Sequence, residues 1–76
     1  MYNIAFYENG GFCTNIGGPV KTLPEALEQM KRLASGIKAE ELTGYLGYKF
    51  DRGGTPCAII VADRWGMPIV NVEEEE

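Results

Sequence analysis

Apolar and polar residues alternate with period two over residues 2–7, where Tyr2, Ile4 and Phe6 stand against Asn3, Ala5 and Tyr7. The alternation resumes over residues 12–16, with Phe12, Thr14 and Ile16 against Cys13 and Asn15. Period two marks strands with one face toward a core. The turn between them sets the register. A two-residue turn on Asn9-Gly10 would oppose Tyr7 to Phe12 and split the apolar sets between the two faces. A three-residue loop, Glu8-Asn9-Gly10, with Gly10 in a bulge, opposes Phe6 to Phe12 and gathers Tyr2, Ile4, Phe6, Phe12 and Ile16 on one side. The three-residue loop is the expected one because it builds a continuous core face. It leaves Tyr7 outside.

The period changes after the connection "GGPVK" at residues 17–21. Leu23, Ala26, Leu27, Met30, Leu33 and Ala34 recur at helical spacing, with Glu25, Glu28, Lys31 and Arg32 elsewhere on the wheel. Thr22 and Glu25 form a capping-box pair, and Pro24 is tolerated in the first turn, where no intrahelical donor is needed. Gly36 suits the left-handed position that ends such a helix, with Ile37 returning an apolar contact. Glu28 and Arg32 are spaced for a weak surface pair.

Residues 38–44 read equally as a helical turn or a loop. "YLGYKF" at 45–50 predicts a strand with Leu46, Tyr48 and Phe50 on one side and Tyr45, Gly47 and Lys49 on the other. "DRGGTP" at 51–56 is a turn, and the apolar run "CAIIVA" at 57–62 predicts a central strand buried on much of both faces. In "DRWG", Asp63 suits the first position of a type I turn and Gly66 the left-handed residue that closes it. Pro68 near the start of the last run, "MPIVNV", suits an edge. The fold class is therefore α+β: an antiparallel sheet of about five strands, β-β-α-β-β-β, with one helix on one face. Residues 1–72 form a single domain and residues 73–76 an acidic tail.

Charge refines this picture. Seven Lys and Arg face eleven Asp and Glu, a net charge of −4, but four of the acids are Glu73–Glu76, so residues 1–72 carry seven of each sign. A neutral body disfavours nonspecific nucleic-acid binding, which needs clustered basic side chains at the phosphates. The tail reads either as a solvated terminus or as an arm for a basic partner surface. With two cysteines, no long apolar run and no leader pattern, the chain reads as cytoplasmic with reduced thiols.

Candidate chemistry is sparse. The chain has no histidine, which removes Ser-His and Cys-His nucleophile pairs and histidine metal sites. Cys13 and Cys57 lack a CxxC spacing and read as small buried apolar residues. The glycine pairs form neither a phosphate loop nor a dinucleotide fingerprint and read as turn residues. No enzymatic activity, cofactor or metal is expected. Binding is the better prospect, because a helix on one face leaves the other open. Tyr7, Tyr45 and Lys49 are assigned there with Asn3 and Asn15, and Arg64-Trp65 at a hairpin tip supplies a second candidate contact. Tyrosine, tryptophan and arginine are enriched at the energetic centres of interfaces.

The segment "NIAFYENG", residues 3–10, resembles a hairpin of the small phage anti-CRISPR proteins that inhibit the type I-F surveillance complex. It agrees with that hairpin in seven of eight positions and differs at Phe6, where the hairpin has valine. The resemblance implies a compact α+β inhibitor that binds a CRISPR effector subunit and blocks target DNA, with Tyr7 and Glu8 as contacts. It covers about a tenth of the chain, and the helix, the "DRWG" hairpin and the glutamate run depart from it. Small size, no catalytic set and surplus negative charge are compatible with a protein that occludes a basic surface. The alternatives are a homo-oligomeric module pairing through an open face or edge, and, disfavoured by the charge, a small nucleic-acid-binding domain using Tyr7, Tyr45, Tyr48 and basic residues.

Overall fold

The computed structural model describes residues 1–70. Among them the chain forms β1 (Tyr2–Glu8), β2 (Gly11–Val20), α1 (Leu23–Ala34), β3 (Glu40–Glu41), β4 (Gly47–Arg52) and β5 (Thr55–Asp63). The strands make one sheet in the order β2-β1-β5-β4-β3, every neighbouring pair antiparallel. The α+β class and the element order are those expected. Two strands differ in place. Residues 40–41, left open between helix and loop, pair with β4, whereas residues 67–70 of the expected last strand make only isolated bridges, Pro68 to Ala62 and Val70 to Tyr45. The glutamates of the acidic tail lie outside the described residues. No helix among the described residues is long and apolar enough to cross a membrane.

Local chemistry explains the helix. The Thr22 hydroxyl accepts a hydrogen bond from the Glu25 amide at 3.3 Å, satisfying one of the donors left free at a helix start. At the other end the Ser35 and Ile37 amides donate to the Arg32 and Ala34 carbonyls. Between these ends Ala26 and Met30 are buried against Ile4, Ile59 and Val61. Tyr2, Phe6, Leu23, Leu27, Tyr48 and Phe50 flank that cluster. Ile4 and Val61 are the largest fully buried side chains, and burial of each stabilises the fold by about 1.5–3 kcal/mol.

The first hairpin corrects the expected register. Asn9 and Gly10 both have positive φ, 55° and 81°, and Glu8 pairs with Gly11 and Tyr7 with Phe12. This is the two-residue type I′ turn, whose twist matches that of the strands it joins. The split of the apolar sets is then repaired inside β2 by bulges. Phe6 opposes Thr14, leaving Cys13 unpaired between Thr14 and Phe12, and a second irregularity sets Ile4 opposite Gly17. Each extra residue switches the side that follows it. Phe12 is therefore not in the core: it is 57% exposed and lies on the side away from α1.

The "DRWG" hairpin closes as its sequence indicates. Gly66 donates to the Asp63 carbonyl at 3.0 Å, while the Asp63 carboxylate accepts from the Trp65 and Met67 amides, each at 2.9 Å. The chain returns along β5 where β4 begins: Val61 donates to Leu46, and Ile69 donates to Val61. That return fixes Tyr45, because its bridge partner is Val70.

Candidate functional site

The two faces of the sheet follow from alternation along β1 and β5. Ile4, Phe6, Ile59 and Val61 point to α1, so Ala5, Tyr7, Ala58, Ile60 and Ala62 point away from it. In the ladder Ala5 opposes Ile60 and Tyr7 opposes Ala58. Ala5, Ile60 and Ala62 are buried without a helix above them. Small side chains recessed between taller neighbours make a floor, and the taller neighbours make walls.

Tyr7 and Tyr45 stand on the same cavity. Its volume is about 370 Å³, with Ala58 and Ile60 from the floor and Leu42 and Pro68 at its sides. Tyr7 is held by Phe12, whose ring meets it edge to face with centroids 5.8 Å apart. Leu42 approaches over Gly47, where a side chain is forbidden: a Cβ on Gly47 would run into the Ile59 carbonyl and would lie 3.1 Å from the Leu42 methyl. On the same face, Lys49 and Glu40 form an exposed ion pair at 3.8 Å, which contributes little stability. A larger cleft of about 630 Å³ lies on the helix side of Tyr45 and is edged by Glu28, Lys31 and Glu41. Leu27, Met30, Leu46 and Tyr48 also line it; Tyr45 borders both cavities, and the smaller is the one that Tyr7 lines as well.

The other candidate residues lie elsewhere. Glu8 alternates with Tyr7 and faces the opposite side, where its carboxylate accepts a long hydrogen bond from Cys13 at 3.6 Å. Arg64 and Trp65 occupy the far hairpin tip, with the guanidinium 4.5 Å above the indole and Trp65 73% exposed. The five residues of β5 between the ladder positions of Tyr7 and that tip correspond to roughly 17 Å of strand. Tyr7 and Tyr45 converge; Glu8, Arg64 and Trp65 do not join them.

Cys57 is buried, but Cys13 is exposed, contrary to the reading of both as buried apolar residues. The cause is the β2 bulge, which leaves Cys13 beside Glu8 rather than in a ladder pair. Loss of hydration, followed by the hydrogen bond and negative charge of Glu8, raises the Cys13 thiol above its ordinary pKa. A raised pKa keeps the thiol protonated near neutral pH and makes it a poor nucleophile. Among the described residues no group of three His, Cys, Asp or Glu is placed to hold a metal ion.

Phe12, Leu42, Ile60 and Pro68 were not singled out for this face by the sequence. For Phe12 the signal was present in Asn-Gly, the strongest short hairpin marker. In "CAIIVA", Ala58 is the small residue that reaches the floor, beside Ile60 two positions on. Leu42 and Pro68 arrive through long-range pairing, which no local pattern encodes. Comparison with protein-family models, with curated proteins and with solved structures finds no match to the chain.

Proposed function

We propose that this chain is a non-catalytic inhibitor that binds a protein partner through the tyrosine-lined face of its sheet. The partner is a CRISPR effector subunit, and binding blocks target DNA. The observation that carries the binding face is the convergence of Tyr7 and Tyr45 on one cavity floored by Ala58 and Ile60. Tyrosine rings offer large, rigid contact area with a polar tip, and a recessed floor admits a side chain from the partner. The choice of target rests on the resemblance of residues 3–10, which includes Tyr7. The surplus of acidic over basic side chains supports it, since negative charge speeds association with a basic DNA-binding surface.

Co-purification tests the partner. Tagged protein expressed in a host with a type I CRISPR effector is expected to retain the effector, and Tyr45→Ala to release it while preserving the folded spectrum. Recovery of no effector by the wild-type chain would sink the target assignment.

A second reading, self-association, is favoured by the outer edge of β2, a strand that among the described residues pairs with β1 alone. Light scattering separates the two: a stable dimer that Tyr45→Ala leaves intact, without effector binding, selects it.

A further inference from the structure

On the helix side, the sheet extends past the end of α1. The last turn of the helix brings Leu33, and the turn beyond it brings Ile37, over the strands without covering them. A cavity of about 400 Å³ results, walled by Phe6, Ile16, Leu33, Ile37 and Phe50, with Arg52 among its lining residues. Ile16, Leu33 and Ile37 are exposed although they sit together. Phe6 and Phe50 meet as a tilted pair with centroids 6.4 Å apart, and the Arg52 guanidinium lies 5.9 Å from the Phe6 ring centroid. Among the described residues no carboxylate lies within salt-bridge distance of Arg52.

An apolar chamber whose wall carries a cation with no carboxylate partner among the described residues has the polarity of an amphiphile with an anionic head. We infer that this cavity binds a free, single-chain medium-length carboxylate, the alkyl chain between Leu33, Ile37 and Phe50 and the carboxylate on Arg52. The volume lies toward the lower end of ligand cavities, roughly 300–1,000 Å³, which favours a single chain. Arg52 presents a planar fork that matches a carboxylate in two parallel hydrogen bonds. This site is independent of the tyrosine face, since Phe6 and Tyr7 point to opposite sides of β1.

The test uses the full chain with decanoate below its micelle concentration, and with decanol and decyltrimethylammonium as the neutral and cationic arms. Methyl resonances of Ile16, Leu33 and Ile37 are expected to shift saturably at one decanoate per chain. Arg52→Gln, a change at an exposed position, is expected to weaken decanoate by about ten-fold or more and to leave decanol binding unchanged. Ile37→Ser is expected to weaken both. Absence of a saturable shift, equal binding of all three probes, or equal loss of decanoate and decanol in Arg52→Gln would overturn the inference. So would a dimer in light scattering that Ile37→Asp dissociates, because a second copy would then cover the cavity.

Discussion

Tyr7 and Phe12 meet edge to face across the first hairpin, their ring planes 77° apart, on the side of the sheet away from α1. The pair exists because Asn9 and Gly10 close a two-residue turn; a loop one residue longer would have sent Phe12 to the core. It also holds Tyr7 upright as one wall of the cavity shared with Tyr45. The register of one turn thus decides which aromatic residues stand on the face away from α1.

Phe12→Ala tests that register by its size. An exposed edge-to-face partner contributes about 0.5–1.5 kcal/mol, whereas a core phenylalanine costs ~3–5 kcal/mol when truncated. Urea denaturation is expected to report a loss of about 1 kcal/mol at unchanged m-value. A loss in the larger range would restore Phe12 to the core.

Gly47→Ala is expected to destabilise by about 1–3 kcal/mol, although alanine is ordinary in a strand. The added methyl meets the Ile59 carbonyl and crowds Leu42, so β4 must shift against β5. Thermal denaturation checks it, and an unchanged midpoint would contradict the close approach.

The helix ends and surface separate strong contributions from weak ones. Thr22→Ala removes the cap on the Glu25 amide and is expected to cost about 1 kcal/mol. Glu28→Gln breaks the exposed pair with Arg32, at 3.5 Å, and is expected to cost no more than about 0.5 kcal/mol. Chemical denaturation of both variants gives the order, and the reverse order would contradict the capping assignment.

Cys13 provides a pH test whose sign is fixed. Desolvation and then the Glu8 carboxylate raise the thiol pKa, so Glu8→Gln removes the carboxylate's part and increases the thiolate fraction at a given pH. The alkylation rate of Cys13 by iodoacetamide is expected to rise in Glu8→Gln, its pH profile moving to lower pH. Cys57, buried, is expected to react slowly in both proteins. An unchanged Cys13 profile would show that Glu8 does not act on the thiol.

Much of this fold was legible locally. Thr22, Glu25, the apolar stripe and Gly36 specify α1 by neighbouring residues alone, and Asp63 and Gly66 specify the second hairpin through hydrogen bonds within five residues. In the first hairpin two requirements conflict, and the structure departs from the expected register. Asn-Gly favours a two-residue turn, while the alternation of Phe6 and Phe12 favours a longer loop, and the chain reconciles them with bulges in β2 that alternation alone does not announce. The candidate site was legible for Tyr7 and Tyr45, which fall on the open face by strand parity. Their convergence was not, because it depends on Val70 bridging Tyr45 and on Leu42 lying over Gly47. Trp65 is exposed at its hairpin tip, yet nothing among the described residues brings it to the tyrosines.

The most direct test of the account measures binding of a purified type I CRISPR effector to labelled target DNA as this protein is added. The wild-type chain is expected to abolish DNA binding at stoichiometric concentration. Tyr7→Ala and Tyr45→Ala, each folded, are expected to raise the concentration required by about thirty-fold, the ~2 kcal/mol of an interface hot spot. DNA binding that persists at saturating wild-type protein, or inhibition by both variants equal to that of the wild type, would contradict the tyrosine face as the inhibitory surface.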